Sequence, residues 1–101
     1  MIKKLKAGCF TYTVHFQMTD SDHGATNLDS KIIIINNKNS LDIQRETLLH
    51  ELQHVSFDDC SLFEHPISDA EKQEEALIRF NNPRLFQILK DNNWVREFLF
   101  V

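Results

Sequence analysis

The sequence predicts an α+β fold: a small antiparallel β-sheet from the N-terminal third, packed on helices drawn from the rest of the chain. Three observations predict it. Phe10, Tyr12, Val14 and Phe16 alternate with Thr11, Thr13 and His15, the period of a strand with one buried face. Four consecutive isoleucines, Ile32 to Ile35, are β-branched and too short a run for a helix. From Ser40 onward, apolar residues recur at helical spacing between capping signals.

The elements follow in order. Lys3, Lys4 and Lys6 give the start of the chain a positive charge, but the continuous apolar stretch of a signal peptide is missing. The first strand is expected around Phe10–Phe16, and Asp20-Ser21-Asp22-His23-Gly24 is turn chemistry. A second strand begins near Ala25–Asn27, and a third spans Lys31 to Asn36 before the Asn37-Lys38-Asn39 loop. Ser40 is the expected N-cap of the first helix, with Asp42 placed favourably against its dipole and Asp58-Asp59-Cys60 at its end. Ser68-Asp69-Ala70-Glu71 is a capping box for a second helix that runs to about Phe80. Asn82 and Pro83 then cap and open a third, Arg84 to Lys90. The tail from Trp94 to Val101 is largely apolar; it has three outlets, completing the core, pairing in a homodimer, or lying across a cleft.

Bulk composition narrows the function. A chain of 101 residues, 42% hydrophobic and 26% charged, is expected to form one globular domain spanning 1–101. A net charge of −4 without an extended basic stripe argues against nucleic acid as a partner. The longest apolar run is far short of a membrane span, so no membrane partner is expected. Cys9 and Cys60 read as reduced thiols and the location as cytoplasmic.

The chemistry lies in His50-Glu51-Leu52-Gln53-His54, an H-E-x-x-H motif. On a helix the two histidines sit about 40° apart on one face, close enough to reach one metal ion, with the glutamate flanking a metal-activated water. Leu48, Leu52 and Val55 fall on the opposite side, with Leu49 flanking them and Glu51 near the border. A catalytic zinc needs a third protein ligand. The pattern with a third histidine six residues after the second fails, because Phe57 and Cys60 occupy its glycine and histidine positions. Cys60 is one candidate, and the others are Glu71, Glu74 and Glu75. Glu71 is committed to the capping box. Glu74 falls between Leu77 and Ile78 on an apolar helix face, where a carboxylate is costly without a neutralising partner. It is the preferred third ligand, with Glu75 as fallback. The competing reading pairs Glu74 with Arg79 or a lysine and leaves two solvated histidines on an ordinary amphipathic helix.

The segments Glu46–His54, Glu74–Arg79 and Leu85–Asn92 also resemble small phage-type metallopeptidase-like proteins related to the ImmA/IrrE group of gluzincins. The resemblance covers roughly residues 30–92. It implies a minimal zincin-like fold, zinc held by His50, His54 and Glu74, and Glu51 as general base. It also implies a phage-encoded protein acting on a host or phage protein. Two departures stand out: there is little room for the longer helical region of larger members, and Ile78 stands where thermolysin-like relatives carry a supporting aspartate.

The resulting expectation is a zinc metallopeptidase acting on a protein or peptide, with Glu51 taking the proton of a zinc-activated water. The Ile32–Ile35 strand would pair with an extended substrate if it forms the sheet edge. An oxyanion donor is needed, and His65, His23, His15 and Tyr12 are available; His65 is preferred because it lies between the two metal-bearing helices. Two other classes stand beside this one: a non-catalytic zinc protein that acts by binding, and a metal-free α+β interaction domain.

Overall fold

A computed structural model of the chain describes residues 1–60 and 82–100, with side chains at all of these except 57–60. The elements are β1 (Ile2–Ala7), β2 (Phe10–Gln17), β3 (Gly24–Asn27), β4 (Ile32–Asn36), α1 (Leu41–Cys60), α2 (Asn82–Asp91) and α3 (Asn93–Phe100). The architecture is α+β, as expected.

β1 lies in a segment that reads as a charge run. Its lysines alternate with Leu5 and Ala7, which are buried, so the segment has strand period after all. Gly8 at φ 63° and Cys9 form the two-residue turn that brings Ala7 opposite Phe10. A positive φ at the first turn position costs glycine nothing and suits the twist of a hairpin.

The four strands stand in the order β1-β2-β4-β3. β1 pairs antiparallel with β2, and β3 antiparallel with β4, but β2 and β4 run parallel. The sheet is therefore mixed rather than antiparallel throughout. The chain leaves β2, returns along the outer edge as β3, and then inserts β4 between them. An unbroken isoleucine run suits that interior position, since Ile33 and Ile35 are fully buried and Ile32 and Ile34 half-buried. Asn36 at the end of β4 is buried and accounts for its own polar groups. Its amide donates to the Ser21 carbonyl at 2.9 Å, its Oδ1 accepts from the Lys38 amide, and its main-chain N–H donates to His23 O at 2.8 Å. The loop before β3 is pinned by the side chain and main chain of Asn36 together with the Asn39 side chain, which donates to Asp22 O.

Ser40 caps α1 as expected: the Ile43 amide reaches its hydroxyl at 3.4 Å and the Gln44 amide its carbonyl at 3.0 Å. Leu48, Leu52 and Val55 bury against the sheet face formed by Tyr12, Val14, Phe16, Ile33 and Ile35. Each contributes roughly 1.5–3 kcal/mol of apolar burial. Leu49 lies at the edge of this stripe and stays exposed.

The C-terminal tail completes the core. Val95 is fully buried, and Phe16 packs against the rings of Trp94 and Phe98, with centroids 6.3 and 5.1 Å away. Arg45 Nε donates to Phe98 O at 2.7 Å, tying α1 to α3. No described helix is long and apolar enough to cross a membrane.

Candidate metal centre and its cleft

His50 and His54 sit one turn apart on α1, on the exposed side that the leucines leave to solvent. Their rings meet edge-on, with centroids 4.9 Å apart and planes at 79°. The two Nε2 atoms are 3.2 Å apart. Two imidazole nitrogens bound to one tetrahedral zinc stand roughly 3.3–3.4 Å apart, because each Zn–N bond is about 2.0–2.1 Å. The separation is close to that of two imidazoles sharing one ion. A proton on one Nε2 would equally satisfy the contact as an N–H···N hydrogen bond.

Glu51 is different from its neighbours. It is only 6% exposed, and the Thr26 hydroxyl donates to its Oε2. A buried carboxylate without a donor would be strongly unfavourable, so this hydrogen bond is what the helix border position requires. Glu51 lines two adjoining clefts. The larger, about 740 Å³, is walled by His50, Glu46 and Thr47 of α1 and by His23 and Gly24 at the start of β3. The smaller, about 280 Å³, lies between His54 and the Ala25–Leu28 stretch.

Gly24 sets the distance between the helix and the edge strand. A Cβ there would stand 2.4 Å from Ile34 O and 2.9 Å from Thr47 Cγ2, so only glycine lets α1 and β4 approach β3 this closely. Thr47 is itself held, its hydroxyl donating to Ile43 O at 2.7 Å.

The structure separates the other candidates. Tyr12 is buried in the core, and His15 lies on the opposite sheet face with Nε2 3.1 Å from Thr13 Oγ1. His23 lines the larger cleft together with His50 and Glu51. Asn39 Nδ2 donates to Asp22 O at 2.8 Å and lies 3.5 Å from His23 Nδ1. Glu74, Glu75, Glu71, His65 and the Cys60 side chain lie outside the described residues. Among the described residues, no set of three His, Cys, Asp or Glu side chains gathers into a metal-ligand cluster.

The substrate-pairing expectation needs correcting. Ile32–Ile35 belongs to β4, which is paired on both sides, so it offers no edge. Among the described residues, the edge beside α1 is β3. Sequence reasoning passed over Gly24 and Thr26. A glycine opening a short strand and a hydroxyl two residues later on the same face were the available signals.

A family described as an IrrE N-terminal-like domain, of the peptidases, matches residues 7–86. No curated protein and no solved structure matches the chain.

Proposed function

The chain belongs to the IrrE N-terminal-like peptidase family, and from that membership we propose that it is a zinc-dependent metallopeptidase hydrolysing a protein or peptide substrate. The observation that carries this reading is the His50–His54 pair, with Nε2 atoms 3.2 Å apart, on the same helical turn as a nearly buried glutamate. His50 and His54 hold the zinc, with Glu74 as third ligand. When bound, zinc would supply Lewis acidity at that site.

The chain's own residues do the rest. An extended substrate lies along the outer edge of β3, in the manner of an added strand. Glu51 accepts the proton of the attacking water as the new C–O bond forms. The C–N bond then breaks, and Glu51 returns that proton to the leaving amine. His23, which lines the cleft with His50 and Glu51, donates a ring N–H to the oxygen that gains negative charge; His65, preferred from the sequence, lies outside the described residues.

Metal analysis of the purified chain coupled to a peptide-library digest tests this. One zinc per chain and a defined set of cleavages are expected. Glu51→Gln keeps the zinc and slows cleavage by about 10²–10⁴-fold, the span of general acid–base contributions. In the same assay Glu74→Ala lowers zinc content, and unchanged content would move the third ligand to Glu75 or Cys60. A chain that cannot be loaded with zinc overturns the reading. Biological activity surviving Glu51→Gln would make the protein a binder on a peptidase scaffold.

A further inference from the structure

We propose that Thr26 is a positioning residue for this hydrolysis: its hydroxyl orients the Glu51 carboxylate while its main chain forms the segment of β3 where substrate docks. The proposal rests on the peptidase reading and goes beyond it by coupling two events in one residue.

The strand register supplies the first half. His23 O accepts from Asn36 N, and Gly24 stands opposite Ile35. In an antiparallel ladder the residues exchanging hydrogen bonds alternate, so Ala25 and Asn27 turn their main-chain groups toward β4. Gly24 and Thr26 turn theirs toward the outer edge. The Gly24 carbonyl is already taken by the Ser21 hydroxyl at 2.9 Å. Among the described residues, Thr26 is left to offer both an N–H and a C=O to an incoming extended peptide.

The side chain supplies the second half. Thr26 shares a sheet face with Gly24 and Ile33, the face that α1 covers, and its hydroxyl reaches Glu51 Oε2. One carboxylate oxygen is thereby engaged, leaving Oε1 for the proton of the attacking water. A hydroxyl is suited to both halves of the reaction. It donates to Oε2 while Glu51 is a carboxylate and goes on donating to that oxygen once Oε1 carries the proton. The base therefore keeps one orientation through the cycle, and any shift of Thr26 on substrate pairing is transmitted directly to it.

The test compares Thr26→Val, Thr26→Ala and Thr26→Ser in the zinc-loaded full chain, on a peptide that the wild type cleaves. Removing the hydroxyl should lower kcat about tenfold or more while KM stays within about twofold. Thr26→Ser should restore most of the rate, and zinc content should match wild type in all three. Unfolding by urea gives a readout independent of activity: the effects of Thr26→Val and Glu51→Gln should be non-additive. An additive cycle overturns the assignment whatever the activity. So does an undiminished kcat in both Thr26→Val and Thr26→Ala, or a loss that Thr26→Ser does not repair. A zinc-loaded wild type that cleaves no peptide overturns the peptidase reading instead.

Discussion

The two edges of the sheet are finished in opposite ways. At β1 the junction of α2 and α3 seals the strand. Asn92 pairs its side-chain amide with Lys6 as another strand would, accepting from Lys6 N at 2.8 Å and donating to Lys6 O at 2.7 Å. Trp94 Nε1 then donates to Lys4 O at 2.8 Å. At β3, beside the histidines, the described residues place one hydroxyl, that of Ser21, on the Gly24 carbonyl. An unpaired edge is a hazard that proteins cover unless it is used.

Three substitutions break or sharpen that contrast. Gly24→Ala should have the largest effect, because the new methyl group meets the Ile34 carbonyl and Thr47. A destabilisation of about 3 kcal/mol is expected, at the upper end for overpacking, read by urea unfolding. A neutral result would mean that α1 does not need its close approach to β3. Asn92→Ala comes next, at about 2 kcal/mol, since it leaves both main-chain groups of Lys6 without partners. Concentration-dependent self-association on a sizing column should accompany it, and a monodisperse, equally stable variant would remove the sealing role. Trp94→Phe keeps most of the packing and loses only the bond to Lys4, so about 1 kcal/mol and no change of oligomeric state are expected.

Much of the β-then-α order was legible because it rests on local signals. Alternation marked Phe10 to Phe16, branching marked the isoleucines, and the Ser40, Asn82 and Pro83 signals marked α1 and α2. What escaped depends on partners distant in sequence. The Leu5 and Ala7 alternation was masked by three lysines, and strand order is decided by where β4 inserts, which no single strand records. The site divides along the same line. His50, Glu51 and His54 follow from helical geometry within one turn, whereas Thr26 meets Glu51 only through the β3–β4 register and the docking of α1. His23 was one of four available donors, behind His65, and only the folding of its loop, bonded through Asn36, shows that it lines the cleft.

The Asn92 clamp has a consequence for biosynthesis. Lys6 and Asn92 are 86 residues apart, so β1 emerges from the ribosome long before the residue that seals it. At ~5–20 residues per second the wait is about 4–17 s, ample time for a nascent edge to find the wrong neighbour. Lys3, Lys4 and Lys6, all exposed on that strand, give it the charge that discourages such pairing. The lysines guard the edge during translation, and the asparagine relieves them once it has emerged and docked.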